Sequence, residues 1–338
     1  MSTSTTPVLL DGYVPVIDIS AARAGGADDR AAVAEVVAQA CAQSGFMVIT
    51  GHGVPDDLVR RMEQVSLDFF ALPDATKDAY ESPAGDTTLR GYFKAPSYVA
   101  ASDDVATPPD ICQLYTMCRL GEPGVATEAS LGAANYETWS KPNVWPTEIP
   151  EFRKTWLEYY GVLETLSAEL MQLFALALGL DADFFADKID DHITNLVVNY
   201  YPAVDDDPLP GQYRKGPHSD WGTLTVLYQD ETGGLEVFDR ERDAWVSVPV
   251  LPGAFVVNVG DLMEVWTNNR WRSAKHRVPV PPAETRAVPR VSMPFFHQPN
   301  WSAVIECLPS CLEEGEEPHH QPVTSGQYLL DKITLTYT

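Results

Sequence analysis

The sequence contains little cysteine, little positive charge and no apolar run long enough to cross a bilayer. Its five cysteines form no Cys-x-x-Cys pair, which argues against a disulfide framework or a zinc ribbon. Lys and Arg number 23 against 48 Asp and Glu, so the net charge of -25 would repel nucleic acid and anionic membranes. Because a basic and then apolar leader is also absent, we expect a soluble, cytoplasmic protein whose partner is a small-molecule substrate. The sequence leaves the oligomeric state open.

The first half of the chain mixes strand-like and helix-like segments. "YVPVIDIS" is typical of a strand, and the apolar spacing of "DDRAAVAEVVAQACAQSG" predicts a helix that ends at its glycine. Residues 149–180 carry apolar positions at spacings of three and four. They predict one long helix, or two helices with a break near Gly161.

The second half of the chain consists largely of short apolar or alternating runs separated by frequent turns. "TLTVLY" and "AFVVNVG" are examples, and the pattern is typical of a sandwich or barrel. No linker or internal repeat divides the chain, so we predict a single domain, mainly β with flanking helices. Its mixed α/β and helical region, 1–190, would buttress core strands in 191–300, and 301–338 would form a C-terminal segment.

One short segment, "GPHSDWGT", places His218 and Asp220 two residues apart beside a strand-like run. In a strand, residues i and i+2 face the same side, so both side chains could reach one point. Alone, a His-x-Asp pair is weak evidence for a metal site. His276 in "RSAKHRVPV" is the candidate third ligand, because two histidines and a carboxylate form the facial triad of non-haem Fe(II) oxygenases, which leaves coordination positions open.

A second polar pair lies in the apolar segment "RVSMPFF", where Arg290 and Ser292 are again two residues apart. An arginine among Val, Met and Phe needs a carboxylate partner if it is buried. The guanidinium and the hydroxyl could hold the distal carboxylate of a 2-oxo acid whose other end chelates iron. The alternative is that Arg290 pairs with an Asp or Glu of the chain itself.

Several of these segments occur in an order that belongs to a known family. "NYYP", "HSDWGTLTVLYQD", "GGLEVF" and "RVSMPFF" follow one another, and with them the chain resembles the isopenicillin N synthase-like branch of the Fe(II)/2-oxoglutarate-dependent dioxygenases. The resemblance extends over nearly the whole chain. It implies a distorted double-stranded β-helix, or jelly roll, with the metal inside its mouth and the long helix packed behind.

The resemblance also assigns roles to individual residues. It implies that His218, Asp220 and His276 bind Fe(II). It further implies that Arg290 and Ser292 hold the carboxylate of 2-oxoglutarate, with Asn199 and Tyr201 of "NYYP" as additional co-substrate contacts.

Candidates for the substrate pocket come mainly from residues 81–148. Apolar residues recur there with no sustained helical or strand periodicity, which predicts long loops with short strands. In the family that this chain resembles, such a region helps to wall the substrate pocket, so Phe93, Tyr98 and Tyr115 are candidates. His297, directly after "MPFF", either lines the same pocket or simply ends a strand.

The activity implied is oxidation of a small specialised metabolite by O₂, with 2-oxoglutarate converted to succinate and CO₂. Hydroxylation, desaturation and cyclisation are all compatible with this chemistry, and antibiotic biosynthesis is a typical setting. Two alternatives stay open. In a 2-oxoglutarate-independent oxidase of the same family, Arg290 and Ser292 would bind a carboxylate of the substrate; in a non-catalytic metal-binding protein, the site would carry out no turnover.

Overall fold

The computed structural model describes residues 8–10, 13–83, 86–95, 107–204 and 207–337. Its strands are β1 (Val8–Leu10), β2 (Val14–Asp18), β3 (Phe46–Thr50), β4 (Gly91–Phe93), β5 (Gln113–Cys118), β6 (Asn195–Tyr201), β7 (Tyr213–His218), β8 (Leu224–Gln229), β9 (Glu236–Asp239), β10 (Ala244–Ser247), β11 (Phe255–Val259), β12 (His276–Pro279), β13 (Arg290–His297), β14 (Val304–Ile305) and β15 (Val323–Thr324). Its α-helices are α1 (Ser20–Ala24), α2 (Ala27–Gln43), α3 (Asp56–Phe70), α4 (Asp74–Lys77), α5 (Glu128–Leu131), α6 (Ala133–Trp139), α7 (Phe152–Ala177), α8 (Ala186–Ile189), α9 (Asp261–Trp266) and α10 (Ser325–Tyr337).

Two sheets form the centre of the molecule. The larger has nine strands in the order β1-β2-β3-β11-β8-β13-β6-β5-β4, and the smaller has four in the order β10-β9-β12-β7. An apolar cluster joins them: Phe46, Val48 and Val256 of the larger sheet pack with Val237 and Val278 of the smaller one. This pair of sheets confirms the predicted jelly-roll core.

The larger sheet is buried on both faces. Side chains alternate along each strand, and on β11 Val256 belongs to the cluster between the sheets, whereas Phe255, Val257 and Val259 belong to a cluster on the helical side. A strand covered on both faces is apolar at nearly every position. This explains why "AFVVNVG" resembles a continuous apolar run rather than a strict alternation.

The helical side of the larger sheet is covered by α7, with α2 and α3 packed beside it. Trp156, Leu163 and Leu170, spaced seven residues apart, are fully buried on its inner stripe. The helix is continuous over its 26 residues, so the alternative of a break near Gly161 is wrong. Gly161 has open space where a side chain would be and is tolerated there, at the small cost of a glycine in a helix.

An aromatic cluster fills the space between α3, α7 and the edge strands of the larger sheet. The ring of Phe69 lies edge-on to Tyr115, with centroids 4.7 Å apart, and to Tyr92, at 5.5 Å. Phe152 and Trp156 stack 5.2 Å apart beside them. Such contacts add specific geometry to a large burial of apolar area, so this cluster ties the helical layer to the sheet.

Some elements were not predicted from the sequence. Among them are β7, which ends at the first histidine of the triad, the short helices α5 and α6 within the loop-rich region, α9, and the C-terminal helix α10. Within the residues that the structure describes, every helix is too short or too polar to cross a bilayer. The division of the chain into three regions of one domain stays a prediction.

The aromatic cluster generates a stability prediction. Phe69→Ala removes a fully buried ring and is expected to lower the free energy of unfolding by about 3–5 kcal/mol, measured by chemical denaturation. Leu335→Ala, at a position 83% exposed, is the control and should change that free energy by less than about 0.5 kcal/mol. Comparable effects of the two substitutions would contradict the role of the cluster.

Candidate active site

Three predicted ligands meet between the two sheets. β7 ends at His218, and β12 begins at His276, its cross-strand partner; the imidazole centroids are 4.3 Å apart. Asp220 lies in the loop just after β7, and its Oδ1 is 3.5 Å from Nε2 of His276 and 3.9 Å from Nε2 of His218. One ligand atom from each residue lies within 4.8 Å of the others, so a single metal ion could contact all three.

The two imidazoles are oriented by their own strands. Nδ1 of His218 lies 2.8 Å from the carbonyl oxygen of Gly216, and Nδ1 of His276 lies 3.1 Å from that of Ala274. Since a carbonyl only accepts, each Nδ1 carries the proton and donates it. The lone pair of each Nε2 is therefore left for a metal, which is the usual arrangement of metal-bound histidine.

The electrostatics of the site favour the protonation states that a metal needs at two of the three ligands, His218 and Asp220. Burial, and then the neighbouring His276, lowers the pKa of His218 to about 3. Burial by itself would raise the pKa of Asp220, but its interactions with His276 and His218 outweigh burial and bring the pKa below its usual value. For His276 burial is outweighed in the same way by the Asp220 carboxylate, which raises the pKa. Asp220 is thus an ionised carboxylate and His218 a neutral imidazole.

Two further side chains hold Asp220. Asn258 Nδ2, on β11, donates to Asp220 Oδ2 at 2.7 Å, and Thr225 Oγ1, on β8, donates to the same oxygen at 2.6 Å. The other carboxylate oxygen, Oδ1, is left to face the histidines. These donors were not predicted, although the asparagine inside the apolar run "AFVVNVG" was a usable signal. The loop that carries Asp220 runs close to β13 at Gly222. Only a glycine fits there, because a Cβ would lie 2.1 Å from the carbonyl oxygen of His297.

The predicted co-substrate residues form two cross-strand pairs. Arg290 lies opposite Tyr201, and Ser292 lies opposite Asn199, where β13 and β6 run side by side. Directly opposed residues share a face of the sheet, so the four side chains border one space. The guanidinium carbon of Arg290 is 5.0 Å from the centre of the Tyr201 ring, a distance at which cation and ring attract each other.

Arg290 is 1% exposed, yet the part of the chain that the structure describes offers no carboxylate within 4.0 Å of it. Its Nε donates to the carbonyl oxygen of Gly233, and its Nη2 donates to Gln229 Oε1 at 3.2 Å. Nη1 is buried without a partner. Among the described residues, the alternative of an internal ion pair for Arg290 is therefore wrong, and the guanidinium is available to an added anion.

The substrate-pocket candidates are placed in different parts of the molecule. Phe93 packs with Leu114, Val197 and Phe296 in a small apolar patch. Phe296 lies opposite Thr225, whose hydroxyl donates to Asp220. The patch therefore borders the candidate metal centre. Tyr98 lies outside the described residues.

Two of these candidates face away from the metal centre. The prediction for Tyr115 is wrong, and for His297 the alternative holds, because this residue ends β13. Tyr115 is fully buried in the aromatic cluster behind the sheet, and its hydroxyl donates to the carbonyl oxygen of Val144. His297 is an odd number of residues from Arg290 on β13, so it points to the helical side. There its Nδ1 lies 2.7 Å from Thr223 Oγ1, and its ring borders a separate cavity beside Glu164 and α8.

Two family models match the chain. The model of the 2OG-Fe(II) oxygenase superfamily matches residues 193–299, which contain the three candidate ligands and Arg290. The model described as non-haem dioxygenase in morphine synthesis N-terminal matches residues 14–148.

Known proteins resemble the chain over almost its full length. Validamycin A dioxygenase of Streptomyces hygroscopicus subsp. limoneus is 34% identical over 328 residues, which are 96% of this chain and 86% of that protein. The 2-oxoglutarate-Fe(II) type oxidoreductase hxnY of Emericella nidulans is 33% identical over 92% of this chain and 86% of its own length. The solved structure of a full-length Neurospora crassa protein in complex with alpha-KG and thymine has 26% identity and a TM-score of 0.84, covering 98% of this chain and 99% of that one. The chain belongs to the 2OG-Fe(II) oxygenase superfamily and is a dioxygenase with Fe(II) and 2-oxoglutarate as its cofactors.

Proposed function

We propose that this enzyme couples the conversion of 2-oxoglutarate to succinate and CO₂ to the oxidation of a C–H bond in a small specialised metabolite. His218, Asp220 and His276 hold Fe(II). Arg290 and Ser292 bind the distal carboxylate of 2-oxoglutarate. The observation that carries the proposal is the buried guanidinium of Arg290, whose Nη1 has no partner, on the same inner face of the sheet as the metal centre.

The donor set fits iron and a 2-oxo acid. Two imidazole nitrogens and one carboxylate oxygen would leave positions on a bound iron for a chelating co-substrate and for O₂. Bound iron supplies the oxygen chemistry, and the chain's residues orient the reactants and keep water away. Tyr201 and Asn199 border the co-substrate site. The apolar side chains of Leu227 on β8 and Val197 on β6 are also buried, with 9% and 6% of their surface exposed.

The substrate class follows from the patch around Phe93 and Phe296. Its apolar side chains suit an uncharged part of a small molecule, because a charged group would lose its hydration there without a partner. The similarity of the chain to validamycin A dioxygenase supports a specialised metabolite as the substrate. Whether the product is hydroxylated, desaturated or cyclised depends on which C–H bond reaches the metal. A cytoplasmic location stays a prediction, as does the lack of a nucleic-acid or membrane partner that the acidic composition suggests.

The first experiment is an anaerobic titration of the Fe(II)-loaded protein with 2-oxoglutarate, followed by the visible metal-to-ligand charge-transfer band. We expect a saturable band in the wild type, its loss in His276→Ala, and at least a tenfold weaker affinity in Arg290→Ala, since a charge-assisted hydrogen bond contributes about 1.5–3 kcal/mol. Arg242→Ala removes a guanidinium whose side chain is 59% exposed and should leave the affinity unchanged.

Each alternative predicts a different result. Bound iron with no band would favour the 2-oxoglutarate-independent oxidase, in which Arg290 binds the substrate instead. A protein that binds no Fe(II) would rule out the metal assignment. A normal band without succinate release in a broad substrate screen would favour a non-catalytic metal-binding protein.

The donors to Asp220 generate a separate prediction about metal affinity. Asn258→Ala removes the 2.7 Å bond to Oδ2 and is expected to weaken Fe(II) binding about 10–100-fold, the usual cost of losing such a supporting residue. Thr225→Val keeps the side-chain shape, removes the second donor and should act in the same direction. The measurement is an anaerobic competition with a chromogenic chelator, with circular dichroism to check the fold. Unchanged affinity in both variants would show that Asp220 needs no support.

A further inference from the structure

One corner of the space between the sheets holds three buried nitrogens without hydrogen-bond partners. They are Nη1 of Arg290, Nε of Arg214 and Nε2 of Gln229, and their residues are 1%, 1% and 7% exposed. All three are N–H donors. Because a buried donor without an acceptor is destabilising, this corner favours a ligand that brings acceptors.

Arg214 reaches this corner from the smaller sheet. It lies on β7, where it is buried between two half-buried neighbours, so its side chain faces the interior. Its Nη2 donates to the carbonyl oxygen of Val288 at 2.7 Å, two residues before Arg290. Burial, and then the charge of Arg290, lowers the pKa of Arg214, which is the expected effect of two guanidiniums close together.

Gln229 connects this corner to the co-substrate residues. Its Oε1 accepts from Arg290 Nη2 at 3.2 Å, and it lies opposite Ser292 where β8 and β13 pair. The amide thereby orients the Arg290 guanidinium and leaves its own Nε2 without an acceptor.

The described residues of the chain do not neutralise this charge. In the described ranges neither Arg214 nor Arg290 has a carboxylate within 4.0 Å. Asp230, whose charge acts on Arg214, already accepts from the backbone N–H groups of Val291 and Thr232. Two buried cations of like charge are unfavourable unless an anion joins them.

We propose that Arg214 and Gln229 complete the distal carboxylate site, so that two guanidiniums, one of them oriented by the Gln229 amide, select a dicarboxylic 2-oxo acid together with Ser292. The inference rests on the proposed function and deepens it. Arg214 supplies a second positive charge to the distal carboxylate, and Gln229 is a positioning residue that acts through Arg290.

The test compares two co-substrates that differ only at the distal end. 2-Oxopentanoate has the chelating 2-oxo acid of 2-oxoglutarate but ends in a methyl group. In anaerobic titrations of the Fe(II) protein, Arg214→Gln is expected to weaken 2-oxoglutarate binding about 10–100-fold and to leave 2-oxopentanoate binding unchanged. Arg214→Lys keeps the charge and should recover part of the loss. Arg242→Gln, the same change at an exposed position, should bind both ligands as the wild type does.

The outcomes separate this inference from the proposed function. An equal loss for both ligands, or no loss for 2-oxoglutarate, would overturn the role of Arg214 while leaving the dioxygenase assignment intact. No band in the wild type with either ligand would overturn both. If Arg214→Gln does not fold, Gln229→Met provides the second test: it should weaken 2-oxoglutarate binding several-fold without affecting 2-oxopentanoate, and an unchanged affinity would overturn the inference.

Discussion

An ionised carboxylate buried between two sheets is the constraint on which the rest of the site depends. Asp220 is 5% exposed, and a charge in that position is tolerated only where its oxygens are fully engaged. Four strands meet this requirement together: β11 and β8 supply the donors Asn258 and Thr225, while β7 and β12 supply the imidazoles. The crossing connections of a jelly roll bring these distant segments side by side, so the topology is what makes this buried charge tolerable.

The positive corner around Arg290 stands in contrast to the rest of the molecule, whose net charge is -25. Such a surface repels a dicarboxylate at long range, but salt at physiological strength screens exposed charges beyond about 8 Å. Inside the sheets screening is weak, so a few buried guanidiniums dominate the local potential. Capture of an anion is thus a property of the interior and not of the surface.

The sequence identified what short spacings determine. The His218–Asp220 and Arg290–Ser292 pairs could be predicted from residues two apart, and the distant His276 from the chemistry of the triad and the order of the family's motifs. Asn258, Gln229 and Arg214 could not, since their roles depend on which strands become neighbours. His297 is instructive, because its odd separation from Arg290 already placed it on the opposite face of β13. Strand β5 contains no predicted site residue from which the face of Tyr115 could be counted. Only the pairing of β5 with β6 shows which side of the sheet its ring faces.

Strand β13 also limits how this protein can change over evolutionary time. Its alternate residues serve two unrelated purposes, with Arg290 and Ser292 toward the reactants and Met293 and Phe295 toward α7. Loss or gain of a single residue in the strand would exchange the two sets, placing a guanidinium in the helical interior and a phenylalanine at the co-substrate. Substitutions in β13 can therefore preserve the division between its two faces, whereas a one-residue shift of register cannot.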